Sequence, residues 1–138
     1  MRIFTACFAV VVFSALSLRS VLAEPSGDTS RVLVVLAFDQ TCKKWCSVVR
    51  PMVEKLKQEY HDRVDFAELD FTQSELPNTT RLGKELGIGK VIEDAGQYVP
   101  EVLVFAAKRK LVKELDYSKG EADYRRAIDD ALRRSSAK

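Results

Sequence analysis

From Arg31 to Phe38 the chain is almost uninterruptedly apolar and β-branched: Arg31-Val32-Leu33-Val34-Val35-Leu36-Ala37-Phe38. A run of this length with no polar alternation predicts a strand covered on both faces. From Cys46 to His61 the period changes. Val49, Met52, Val53, Leu56 and Tyr60 recur at helical spacing, with Lys55, Lys57 and Glu59 on the opposite side, which predicts an amphipathic helix interrupted by Pro51, a residue expected to bend it. Val64 to Leu69 alternates as a strand and ends at Asp70. Leu76 to Leu86 holds a short helix, started by Asn78 or Thr79 and stopped at Gly87. A long connection follows from Ile88 to Val99, with Gly89 and Gly96. Glu101 to Phe105 and Leu111 to Leu115 are two further strands joined by the basic turn Lys108-Arg109-Lys110. Ser118-Lys119-Gly120-Glu121 reads as a capping box. It opens a last helix with the inner stripe Tyr124, Ile128, Ala131 and Leu132, closed by Arg133 and Arg134 at its negative end. The order β-α-β-α-β-β-α predicts one α/β domain, a four-stranded mixed sheet flanked by helices.

The pattern before Arg31 is different. Arg2 is followed by an apolar stretch, Ile3 to Leu18, broken only by Thr5, Ser14 and Ser17, and Val21-Leu22-Ala23 offers a cleavage site. Residues 1–23 thus read as a secretory signal, 24–30 as a polar lead-in and 31–138 as the domain. The apolar stretch is short of the ~20 residues that a bilayer requires, so no stable span is expected after cleavage. The expected location is the periplasm or the extracellular space, or the secretory lumen of a eukaryote, where Asn78-Thr79-Thr80 would be a glycosylation sequon. Losing Arg2 and Arg19 leaves 20 basic against 20 acidic residues. That balance gives no electrostatic reason to expect nucleic acid or an anionic membrane as a partner. One small domain of this kind is expected to be a monomer.

The chemistry concentrates in Phe38-Asp39-Gln40-Thr41-Cys42-Lys43-Lys44-Trp45-Cys46. With Cys7 inside the signal, Cys42 and Cys46 are the cysteines that remain. A strand that delivers two cysteines to a helix N-terminus puts them at unpaired N–H groups and partial positive charge, which stabilise a thiolate. A bridge over so short a loop removes little chain entropy, which argues for redox chemistry over a staple. Cys42 is the candidate nucleophile and Cys46 the resolving thiol. Lys43 and Lys44 would favour the thiolate, and Trp45 would cover the first turn or shape a groove. The Cα atoms of residues i and i+4 on a helix lie ~6 Å apart, within disulfide range. His61 reads as a solvated helix end, and Asp65, Glu68 and Asp70 as strand or turn acids, with Glu68 the one that could carry a proton near Cys46. No metal or other cofactor is expected.

Over about residues 31–134 the chain resembles the thioredoxin family. The likeness rests on the strand–cysteines–helix succession with Pro51 five residues after Cys46, on Glu59-Tyr60 and the strand that follows, on Val99-Pro100-Glu101-Val102-Leu103-Val104-Phe105, and on the final strand pair with its capped helix. The resemblance implies a thioredoxin-like fold, a cis Pro100 facing the dithiol, a Val99 backbone free to pair with a bound peptide, and thiol–disulfide exchange with protein clients, the pair being reset by a redox partner. The chain departs from the family in five ways. Three residues separate the cysteines instead of two. Thr41 stands where the family has tryptophan. Leu36 takes the register of the buried carboxylate. The connection from Ile88 to Pro100 is longer, and no room remains for an additional N-terminal strand and helix. Two alternatives follow. One is a copper carrier binding Cu(I) at the Cys-x-x-x-Cys pair, although Ser47 follows Cys46 where such carriers have proline, and no histidine follows His61. The other is a redox-inactive binding module on the same fold.

Overall fold

The computed structural model describes residues 28–95 and 98–137. The expected signal and most of the lead-in, with Cys7 and Gly96, lie outside the described residues. β1 (Val32–Phe38) is followed by α1 (Lys43–Tyr60), β2 (Val64–Asp70), α2 (Leu76–Glu85), α3 (Gly89–Asp94), β3 (Glu101–Ala106), a single 3-10 turn at Ala107–Arg109, β4 (Lys110–Asp116) and α4 (Glu121–Ser136). The sheet order is β2-β1-β3-β4. β1 pairs parallel with β2 and antiparallel with β3, and β4 runs antiparallel to β3. The predicted mixed four-stranded sheet flanked by helices is therefore the observed one.

Why the first strand lacks alternation is now plain. Val32, Val34 and Leu36 face a core built with α1 and α4, around Val49, Leu56, Tyr124 and Ile128. Leu33 and Val35 face a second core closed by Leu86, Ile88 and Ile92 from the α2–α3 side, with Leu103 and Phe105 beside them. A central strand with helices on both faces has no polar side to show.

Four local expectations are corrected. α1 begins at Lys43, not Cys46; its first turn is polar and exposed, so it adds nothing to the apolar period that marks the rest. α2 begins at Leu76 with Pro77 in its first turn, a position where the missing N–H costs nothing. Asn78 and Thr79 therefore cap nothing: Asn78 accepts from Arg81 at 2.7 Å, and buried Thr79 donates to the Asp70 carbonyl. The connection after Ile88 contains α3, six residues whose Ile92 closes the second core. Finally, α4 is capped by Gly120, whose N–H donates to the Asp123 carboxylate at 3.2 Å. Ser118 instead bonds back to Asp116. The stop after α2 is as expected, with Gly87 at φ +76°, a conformation that glycine adopts without steric cost.

Candidate dithiol site

The C-terminal end of β1 and the first turn of α1 meet in the segment 39–46, which the end of β2 holds in place. Asp39 accepts from the Thr41 N–H at 2.7 Å and from the Thr41 hydroxyl at 2.6 Å. The Cys42 N–H donates to the Asp39 carbonyl at 3.0 Å. Across the sheet, the Gln40 N–H donates to the Thr72 hydroxyl at 3.0 Å and the Gln40 side chain to Asp70 at 2.5 Å. Phe71 N–H reaches the Phe38 carbonyl at 2.7 Å. Burial works against charge on Asp70, but hydrogen bonds from Thr72 and Gln40 and the nearby Arg50 outweigh it and hold its carboxyl below the usual range. The turn that presents the cysteines is thus clamped by charged and hydroxyl groups from a neighbouring strand.

Cys42 is the N-cap of α1, and Cys46 lies one turn on. Both thiols are free and half-buried. The Cys42 sulfur lies 4.0 Å from the Val99 carbonyl oxygen, and the Cys46 sulfur 3.9 Å from that of Asp39. Burial, and then the neighbouring Cys42 side chain, push the Cys46 thiol up to about 11. The first turn of α1 holds no acid, so no carboxylate within that turn offsets its positive end. Lys43 is exposed, while the Lys44 ammonium sits 4.5 Å from the centre of the Trp45 ring. The Val99–Pro100 peptide is cis, and Pro100 is buried.

The residues that sequence reasoning grouped therefore converge: Cys42, Cys46, Lys43, Lys44 and Trp45 on α1, and Val99 opposite. Three residues join them unannounced. Tyr117, just past β4, stacks on Trp45 with ring centres 4.2 Å apart and planes 18° from parallel. Tyr98, 79% exposed, flanks the same space. Together with Val99, Asp116 and Ser118 they line an open groove of about 570 Å³. Arg50, four residues after Cys46, spreads over the Phe38 ring at 4.5 Å and pairs with Glu68 at 2.5 Å. Only Arg50 had a local signal, its helical spacing from Cys46; the aromatic partners are brought in by tertiary packing. Leu36, at the register of the expected carboxylate, is buried among apolar groups.

His61 lies at the far end of α1, exposed, 3.1 Å from Asp62. Among the described residues no three His, Cys, Asp or Glu side chains gather as metal ligands, and no helix is long and apolar enough to cross a membrane.

Comparison with known proteins gives the architecture a class. No protein-family model matches the sequence, and no curated protein matches it. Solved structures do. A thioredoxin from Fasciola hepatica shares 21% identity at a TM-score of 0.50, over 74% of this chain and 82% of its own. A thioredoxin-like protein in its oxidised form shares 18% at 0.53, over 75% and 79%. A Neisseria meningitidis protein classed as a thioredoxin shares 16% at 0.59, over 80% and 81%. The chain has a thioredoxin-like fold.

Proposed function

We propose that this chain is an exported thiol–disulfide oxidoreductase that exchanges disulfides with protein clients through Cys42 and Cys46. The observation that carries the proposal is the placing of two free, half-buried thiols one helical turn apart at the start of α1, with the outer one against the Val99 carbonyl at one end of an aromatic groove. Export rests on the reading of residues 1–23 as a signal.

The step balances as follows. The Cys42 thiolate attacks one sulfur of a client disulfide. The client S–S bond breaks, its other sulfur leaves as a thiolate and takes up a proton, and a mixed disulfide joins Cys42 to the client. Cys46 then gives up its proton and attacks the Cys42 sulfur. The Cys42–Cys46 bond forms, the bond to the client breaks, and the second client sulfur leaves as a thiolate. Two electrons pass from the pair to the client; the reverse sequence oxidises a client dithiol. No cofactor enters, and a dithiol or disulfide partner resets the pair. The groove suits an extended segment: Trp45, Tyr98 and Tyr117 provide apolar area, and the Val99 backbone a place to align a strand.

Insulin reduction with dithiothreitol as the electron source tests this. The protein is expected to accelerate precipitation of the insulin B chain, and Cys42→Ser to leave only the background rate. Equal rates for the two proteins would refute the proposal.

A further inference from the structure

The resolving step has a difficulty of its own. Cys46 must shed its proton to attack, yet burial, the largest cause of its raised pKa and one that does not depend on a free Cys42, holds that proton on. β1 offers no base, because the residues it turns to this face are Val32, Val34 and Leu36, all buried; the carboxylate on this face is Glu68 of β2, beside Leu36 in register and paired with Arg50. The groups able to act on Cys46 can be named element by element. On α1 they are Cys42 and Arg50; in the β1–α1 turn, Asp39, whose carbonyl faces the sulfur. β2 contributes Glu68 and Asp70, both of which act on Arg50. The loop before β3 presents Val99, an uncharged residue.

Arg50 is the cation in this set, and the structure fixes where its charge lies. It follows Cys46 by four residues on the same helix, the spacing that brings two side chains onto one face. Its guanidinium lies over the Phe38 ring at 4.5 Å, where the end of β1 turns toward the cysteines, and Glu68 holds it from β2 at 2.5 Å. A planar cation held by a ring on one side and a carboxylate on another is restrained in a way that a free lysine is not.

We propose that Arg50 is the positioning residue of the resolving step: its guanidinium, held between Phe38 and Glu68, stabilises the Cys46 sulfur as thiolate while that sulfur attacks the mixed disulfide. The proton lost goes to water, and the bonds made and broken are those already described. The proposal rests on the oxidoreductase reading and deepens it. Glu68 sets the strength of the effect, since its negative charge partly cancels that of Arg50.

Two measurements on the full chain separate this inference from the reading beneath it. The first is iodoacetamide alkylation of Cys46 against pH in the Cys42→Ser background, which requires no exchange activity. Arg50→Gln is expected to raise the midpoint by about half to one pH unit, so that alkylation below it slows about three- to tenfold. Arg50→Lys should recover part of the shift. Glu68→Gln should move the midpoint the other way, downward, because the guanidinium is no longer offset. A merely structural pair would shift both variants in the same direction, and that outcome, or an unmoved Arg50→Gln midpoint, overturns the proposal. The second measurement loads Cys42 with thionitrobenzoate and follows its release by Cys46. Release about three- to tenfold slower in Arg50→Gln, with the deficit narrowing as pH rises, supports the role; an unchanged rate overturns it. A wild-type adduct that never releases would overturn the exchange reading itself and this role with it, whatever alkylation shows.

Discussion

Cys46 is the side chain where folding has moved a titration furthest into a measurable range. An unfolded cysteine ionises near 9.0, whereas burial, reinforced by the Cys42 side chain, pushes Cys46 to about 11 in the folded chain. Between those values the unfolded chain has shed a proton that the folded chain keeps. The unfolded state then binds fewer protons, so the contribution of Cys46 to stability is fully present below about pH 9 and is lost as pH rises toward 11. Tyr60 and Tyr124 act in the same direction but later, since burial pushes both phenols from 10.0 to about 12. The interval from pH 9 to 10 therefore belongs to Cys46. Urea unfolding of the reduced protein is expected to show a midpoint that declines across this interval, and Cys46→Ser a nearly level one. Parallel declines would mean that the Cys46 environment is not what burial makes it. None of this was readable from the spacing Cys-x-x-x-Cys, which marks both cysteines as candidates but does not say which one is held protonated.

At the scale of elements, the groove beside the dithiol joins pieces distant in sequence: the first turn of α1, the loop before β3 and the β4–α4 loop. Trp45 is 37% exposed and Tyr117 42%; their stack covers one face of each ring, and the Lys44 ammonium also lies against Trp45. Trp45→Ala removes the larger partner without opening either core. It is expected to raise KM for insulin about three- to tenfold, in line with the ~0.5–1.5 kcal/mol assigned to an aromatic pair. Reduction of a small aromatic disulfide, which needs no groove, should stay within about twofold. An equal loss with both substrates would assign Trp45 to the thiols instead of the client. Sequence reading suggested Trp45 because it lies between the cysteines; Tyr117 gave no sign, because nothing in a single sequence pairs residues 45 and 117. The same limit explains α3. Its six residues are too few to display a helical period, and Gly89 at its start reads as loop. Where elements were long, the apolar pattern placed their bodies: an unbroken run in β1, and in α1 and α4 a helical period that named the buried positions Val49, Val53, Leu56, Tyr60, Tyr124, Ile128 and Ala131, with Met52 and Leu132 of the same stripes half-buried.

Across the whole molecule, the dithiol occupies one end of the sheet and Arg109 ties together the other. The basic turn between the last two strands was legible as a turn, but its middle residue does not face water. Arg109 is buried at φ +56°, and a charge run gives no warning that one of its members points inward. Its Nε donates to the Leu86 carbonyl at 2.8 Å, Nη1 to that of Arg31 at 3.0 Å and Nη2 to that of Asp28 at 2.7 Å. One side chain thus joins the end of α2, the entry to β1 and the lead-in segment, beside the bond from the Lys108 N–H to the Thr29 carbonyl at 2.6 Å. Burial lowers the pKa of its guanidinium, while Asp65 and Asp28 oppose that effect, so the charge is compensated as well as bonded. Arg109→Met keeps much of the volume and removes every donor, leaving three carbonyls to find water at a packed end. With about 1 kcal/mol or more for each bond to a charged donor, the expected cost is about 2–4 kcal/mol, or a fall in melting temperature of about 10 °C or more. Because this end lies a full strand length from Cys42, insulin reduction at a temperature where both proteins are folded should be unchanged. A melting temperature within about 2 °C of wild type would show that the lead-in is not anchored through Arg109; a loss of activity without a loss of stability would show that the two ends of the sheet are coupled.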